Sequence, residues 1–178
     1  LVAAQQTLID AGKLERNGAI AKKIRSDIRK TNYVIKSQRG ENELPDLVFF
    51  FFLANAEEKF WDIISRCGLD ADTLISVNKL SNPKEIYGKT LFLPNMRGVI
   101  VRLSEKKTLE KICAEFKINP QYVKHINRDL RNDKETVFIP MGRISSSERQ
   151  NFLNAGFSTP LQNKRIRFTS GYGTRKDP

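Results

Sequence analysis

One block occurs twice in this chain, and that repetition limits the possible folds more than any feature of composition. Phe60, Ile63, Asn78 and the run Thr90-Leu91-Phe92-Leu93-Pro94 return as Leu109, Ile112, Asn127 and Thr136-Val137-Phe138-Ile139-Pro140. The first three pairs stand 49 residues apart, as 109 is from 60, and the closing runs 46 apart, so the second copy has a loop shorter by three. A repeat of this length that keeps its pattern while changing its letters is one small unit used twice. Small tandem units are binding devices for extended ligands more often than they are enzymes.

Each copy spells out its own elements. In the first, Phe49 to Leu53 reads as a strand, and Glu57 to Cys67 as a helix with Phe60, Ile63, Ile64 and Cys67 on one stripe. Gly68 is placed to end that helix in a left-handed conformation. Asp70 caps the next one, with Leu69 and Leu74 as a hydrophobic staple, and Asn78 closes it. A loop over residues 79–89 leads to a strand, Thr90 to Leu93, stopped by Pro94. In the second copy Val99 to Val101 is a strand and Thr108 to Phe116 a helix. Asn119-Pro120 then supplies a cap and a proline at the first helical position, and Thr136 to Ile139 closes the unit.

The predicted fold class is therefore α+β: two small βααβ modules in tandem, residues 47–97 and 98–143. A helical N-terminal segment and linker (1–46) precede them, and a linker helix with a strand-and-turn stub (144–178) follows. So small a unit lays two helices on one face of a two-stranded sheet and leaves the other face wet. Its natural binding place is the shallow groove between the loop after the first strand and the loop before the second, where a rigid scaffold presents adaptable polar residues.

Charge and cysteine content narrow the function classes. The net charge of +11 is spread out: nine Lys/Arg against six Asp/Glu over residues 1–46, ten against six over 98–143, and six against two over 144–178. A nucleic-acid binder usually gathers its cations into a stripe, so no specific nucleic-acid partner is expected. A diffuse excess suits polyanions in general. The stretch Ala19 to Lys30 is amphipathic and basic on its outer face, a solvated face or a membrane-surface helix. No apolar run reaches the ~20 residues of a membrane span. Cys67 and Cys113 fall on the apolar stripes of different repeats and read as core thiols. The pair Glu57-Glu58 reads as solvated, His125 as a surface residue, and Asn78 and Asn127 as structural helix ends. Trp61, the one tryptophan, reads as half exposed.

These residues resemble the LysM peptidoglycan-binding module. Phe60-Trp61-Asp62-Ile63-Ile64, then Leu74, Val77, Asn78 and Leu80, then Gly88-Lys89-Thr90-Leu91-Phe92-Leu93-Pro94 follow that family's pattern. The second copy follows with Thr108-Leu109, Ile112, Val123, Asn127 and Thr136 to Pro140. The resemblance implies binding of N-acetylglucosamine polymers, bacterial peptidoglycan above all. It also implies a groove lined by Glu58, Lys59, Asn82 and Ile86 in the first copy, and by Lys107, Thr108 and residues near Arg131 in the second. The family's Gly-Asp-Thr in the first loop is replaced by Glu57-Glu58-Lys59 and by Lys106-Lys107-Thr108, so only Thr108 is kept.

Farther on, Ser170-Gly171-Tyr172-Gly173, Arg175 and Asp177-Pro178 closely resemble the opening of the lysostaphin-type zinc endopeptidase domain. That family binds zinc through a His with an Asp four residues later, and a His-x-His. Neither grouping occurs here, where His125 is the one histidine. The resemblance thus implies the wall-targeting region of a cell-envelope zinc endopeptidase, with no catalytic residue, no cofactor and no metal site of its own. Zinc is expected in the catalytic part alone. The alternative keeps the fold without the sugar: an envelope scaffold or regulator whose grooves have lost their contacts.

Overall fold

Phe49 and Phe50 are neighbours in one strand, and both are buried, at 3% and 1% exposure. Successive strand residues point to opposite faces of a sheet, so this sheet is covered on both sides. The expected wet face does not exist. Residues 8–128 and 135–155 are described, in a computed structural model. The stretch 156–178 with its endopeptidase-like motif, and Arg131, lie outside the described residues.

The chain runs β1 (Leu8–Asp10), α1 (Ala19–Lys36), β2 (Phe49–Leu53), α2 (Phe60–Cys67), α3 (Ala71–Asn78) and β3 (Thr90–Pro94). It continues with β4 (Gly98–Arg102), α4 (Leu109–Glu115), α5 (Pro120–Ile126), β5 (Thr136–Pro140) and α6 (Ser146–Ala155). Short 3₁₀ turns occupy Glu41–Glu43 and Pro83–Ile86. In one sheet β2 pairs antiparallel with β3, Phe51 opposite Phe92, and parallel with β1, Leu8 opposite Phe49. In the other β4 pairs antiparallel with β5, Ile100 opposite Phe138. The order strand, helix, helix, strand thus recurs, with the capping the sequence indicates. Gly68 takes φ 69° after α2, the Asp70 carboxylate accepts from Thr73 N, and Asn119 Oδ1 accepts from Gln121 N.

The N-terminal segment is not a separate helix with a linker. β1 extends the first sheet to three strands, a pairing no periodicity in three residues announces. The apolar stripe Ala21, Ile24, Ile28 of α1 enters the core made by Phe50, Phe52, Phe60, Ile63, Leu74, Leu91 and Leu93. That face is therefore buried inside the protein and is not free to lie on a membrane. The supposed linker packs as well. Leu44 and Leu47 join Val34, Phe49, Met96, Tyr122, Ile126 and Phe138 in a second cluster, where Phe49 meets Phe138 edge-on at 6.3 Å. Each such side chain, once buried, contributes about 1.5–3 kcal/mol. The second repeat keeps a cluster of its own, Val99, Ile112, Cys113, Val123, Val137 and Ile139, while the first two clusters cross residue 46 and the second also crosses residue 97.

Polar groups make the joints specific. Asn95 is fully buried; its Oδ1 accepts from Val48 N at 2.9 Å, while Nδ2 donates to Asp27 Oδ2 and to the Asp46 carbonyl, both at 2.8 Å. One side chain thereby ties α1 to the start of β2. Helix α3 serves two sheet edges at once. On its own side, Asn78 Nδ2 donates to Leu74 O and Phe92 O, and Oδ1 accepts from Phe92 N. Across the joint, Thr73 Oγ1 accepts from Gly98 N and Ser76 Oγ from Ile100 N, each at 2.9 Å. The i, i+3 spacing on the helix meets the i, i+2 spacing of outward N–H groups on β4. Both edges are thus closed against pairing with another chain. Gly98 has to be glycine here: a Cβ would run into the Ile139 carbonyl oxygen and come within 2.7 Å of the Phe138 ring.

Helix α6 folds back on the first repeat. A capping box opens it, Ser145 N donating to Glu148 Oε2 and Glu148 N to Ser145 Oγ. The Ser145 hydroxyl and then its backbone N–H, both donating to Oε2, hold the Glu148 carboxyl below the usual range. Arg149 makes a two-pronged ion pair with Asp72, at 2.7 and 2.5 Å. Phe152 is buried against Phe60.

Candidate functional site

The groove expected from the repeat lies at the end where each first strand hands over to its first helix and the return loop rejoins the second strand. In the first repeat two backbone bonds draw these loops together. Ala54 N donates to Lys89 O at 3.0 Å and Gly88 N to Ala54 O at 2.9 Å, with Gly88 at φ 68° to make the turn. In the second, Leu103 N donates to Glu135 O at 2.5 Å. Ala54 and Leu103 are counterparts 49 residues apart, and Lys89 and Glu135 counterparts 46 apart. The same closure is built twice.

Beside that closure the two repeats differ. In the second, an open cleft of about 840 Å³ is lined by Arg102, Leu103, Ser104, Thr108, Leu109 and Glu135. A tight turn shapes one wall, Ser104 N donating to Lys107 O at 3.2 Å and Lys107 N to Ser104 O at 3.0 Å. Thr108 then caps α4, its hydroxyl facing Lys111 N. Arg102 and Glu135 pair at 2.5 Å on the rim, both well exposed. The cleft thus combines two leucines, two hydroxyls and a charged pair. That mixture suits a ligand with both an apolar face and many hydroxyls.

In the first repeat the counterparts divide: Leu53, Asn55, Lys59 and Lys89 are exposed, Leu53 at 65%, and two are closed. Ala54 and Phe60 are 0% and 2% exposed, and Phe152 of α6 lies over Phe60 with ring centroids 4.8 Å apart. Asn55, opposite number of Ser104, has its side-chain oxygen engaged by Glu57 N and Glu58 N.

The sequence-predicted site residues therefore separate into groups. Thr108 lines the cleft, with Lys107 in the adjoining turn and paired to Glu115 at 3.3 Å. Lys59 is exposed at the start of α2 and makes no side-chain cap bond. Asn82 caps the 3₁₀ turn by accepting from Lys84 N at 2.9 Å. Ile86 is a correction: it is 0% exposed within the first core and has no surface to offer. Glu58 is another, since it is no solvated loop carboxylate. Arg66 Nη1 stands 2.9 Å from its Oε1 and 2.8 Å from its Oε2; the first is an aligned hydrogen bond, the second an ion-pair contact off the N–H direction. That bond raises the Arg66 pKa further. Sequence reasoning missed Arg102, Leu103, Ser104, Leu109 and Glu135. The offset of 49 residues was the available signal, because it sets Leu109 against Phe60 and so marks where bulk is lost.

Neither cysteine is activated. Burial pushes the Cys67 thiol up to about 12, and Cys113 is raised by burial too. His125 sits at the end of α5 with Nε2 3.4 Å from Arg128 Nη1. Among the described residues no group of three or more His, Cys, Asp or Glu is placed to hold a metal ion. Among the same residues no helix is long and apolar enough to cross a membrane.

A family model described as LysM domain matches residues 56–94, the helices and closing strand of the first repeat. No curated protein and no solved structure matches the chain. The chain thus contains one LysM domain, which implies carbohydrate binding of the peptidoglycan or chitin type.

Proposed function

We propose, from the LysM domain at residues 56–94, that this region binds N-acetylglucosamine-containing glycans, and that its ligand in place is bacterial peptidoglycan in the cell envelope. The observation that carries the reading is the paired loop closure, Ala54 to Lys89 and Leu103 to Glu135, with an open cleft of mixed character beside the second. The second repeat, β4 to β5, is on this reading a divergent LysM-like module, supported by its element order and by Asn127. That residue donates to Val123 O and Phe138 O and accepts from Phe138 N, as Asn78 does with its own helix and strand. The resemblance at residues 170–178 supports a place beside a zinc endopeptidase domain in one parent protein. This region would hold the wall polymer near that domain and take no part in hydrolysis.

A second reading, a non-binding envelope scaffold, is favoured by the first repeat alone, where Ile86 is buried and Glu58 is held by Arg66. Co-sedimentation with purified peptidoglycan sacculi separates the two. Glycan binding predicts that the protein pellets at moderate salt and still pellets on sacculi whose carboxylates have been neutralised by amidation. Protein left in the supernatant in both cases selects the scaffold.

A further inference from the structure

Helix α4 starts beside the cleft and ends seven residues later, about 10 Å away at the rise of an α-helix. There the α4–α5 corner meets the C-terminal end of α1 around a separate cavity of about 480 Å³. We propose that this cavity takes a short peptide carrying both a carboxylate and an ammonium group, and that the peptide is the stem attached to the wall glycan. For the source of the peptide it rests on the peptidoglycan reading above. The cavity itself lies outside the matched residues 56–94.

The two repeats treat this corner differently. Lys117, just past α4, stands at φ 53°, in the left-handed region where glycine is the ordinary residue. Its opposite number 49 positions earlier is Gly68, at φ 69°. In the first repeat α1 covers the corner: a Cβ on Gly68 would come within 3.0 Å of Arg25 Cγ, and Leu69 is 3% exposed. The Gly68 carbonyl is also engaged, accepting from Arg97 Nε and Nη2 at 2.9 and 2.7 Å. In the second repeat Lys117 and Asn119 are exposed and Ile118 is half-buried. A lysine in place of glycine strains the backbone, and it puts a cation on the cavity wall. Gln38, past the end of α1, lines the same cavity at φ 51°.

The lining is pre-formed and of mixed chemistry. Its apolar part is Ile35, Ile118 and Tyr122. Tyr122 Oη donates to Arg39 O at 2.7 Å, and Ile118 N to Cys113 O at 2.9 Å, so both walls are fixed. Lys117 and Glu41 bring opposite charges to one cavity, yet among the described residues neither is in an ion pair with the other or with a third group. Complementarity to such a surface requires a ligand with one charge of each sign. Its carboxylate fits Lys117, its ammonium fits Glu41, and the carbons between fit Ile35 and Ile118. Arg39 supports the carboxylate end: Nε goes to Glu43 and Nη1 to Tyr33, which leaves N–H groups over on the guanidinium. Asn119 spends its Oδ1 on Gln121 N and keeps its Nδ2 for a peptide carbonyl. The volume falls within the roughly 300–1,000 Å³ usual for small-molecule sites.

Calorimetry on the whole chain tests the site, with the free peptide stem released from purified sacculi and an N-acetylglucosamine hexamer as separate probes. The stem is expected to bind, and Glu41→Gln and Lys117→Gly are each expected to weaken it at least about fivefold. Hexamer affinity should stay within about twofold in both variants. Lys117→Gly has a second readout: its urea midpoint should rise, because glycine relieves the left-handed turn, so lost stem binding cannot be laid to lost folding. No stem binding by the unsubstituted protein, or stem binding that both variants keep, overturns the site. If the hexamer binds in that case, the glycan reading still stands. Stem binding without hexamer binding upholds the site and overturns the glycan reading instead.

Discussion

The ring of Phe152 lies 4.8 Å from that of Phe60, tilted by 47°, and joins a helix 86 positions beyond the start of the first repeat's α2 to that repeat's core. Both rings are at most 2% exposed, so the contact is a full core contact and not a surface brush. Phe152→Ala is expected to cost about 3–5 kcal/mol. Urea unfolding followed by tryptophan fluorescence measures it, since Trp61 stands edge-on to Phe60 at 5.0 Å. A loss under about 1 kcal/mol would mean that α6 is not docked as described.

Arg149→Ala removes the partner of Asp72, whose side chain is 7% exposed. A buried carboxylate left unpaired is costly, but Arg149 itself is partly open to water and the pair is screened accordingly. The expected loss is about 1–2 kcal/mol, smaller than that of Phe152→Ala. Losses in the opposite order would place the helix's attachment in the ion pair.

Asn78 and Asn127 should behave as a matched pair. Each gives its strand an edge partner by one acceptance and one donation, and each also closes its helix. Substitution by Ala strands buried backbone groups and is expected to cost about 1–3 kcal/mol at either site. Asn→Asp should be no milder, since a carboxylate cannot donate to the two carbonyl oxygens. Chemical denaturation of the four single variants checks this, and a neutral result for either Asp variant contradicts the bonding described.

The Cys67 thiol should be inert in the folded state. It is fully buried, and with its titration raised to about 12 from an ordinary 9.0, almost no thiolate exists at pH 8. Alkylation is expected to follow unfolding and to run far slower than for a free thiol. The linkage has a definite sign. The folded value lies above the unfolded one, so the contribution is present below about pH 9 and fades as pH rises towards 12, at up to about 1.4 kcal/mol per unit. Cys67→Ala should therefore show a shallower alkaline limb of stability than the unsubstituted chain. Identical limbs would contradict it.

Helix and strand identities within each repeat were legible because capping residues and apolar stripes are local signals. Asp70, Gly68 and Asn119-Pro120 each stand where the sequence indicated. What the sequence hid was assembly. β1 is three residues long and gains its pairing from a strand 41 positions away, Leu8 against Phe49. Asn95 looks like an ordinary turn residue after Pro94, yet it binds Asp27 across 68 positions. The site suffered in the same way. Glu58 and Ile86 fit a groove by position in a pattern, but Arg66, eight positions on in the same repeat, holds the one and the core takes the other. Phe152 covers Phe60, and it belongs to neither repeat.

The most direct measurement is a titration of isotope-labelled protein with an N-acetylglucosamine hexamer, followed residue by residue in solution by NMR. The account predicts saturable shifts that include the amides of Leu103, Ser104, Thr108, Leu109 and Glu135 beside the open cleft. Spectra that stay unchanged at ligand concentrations where a LysM domain would be saturated contradict it.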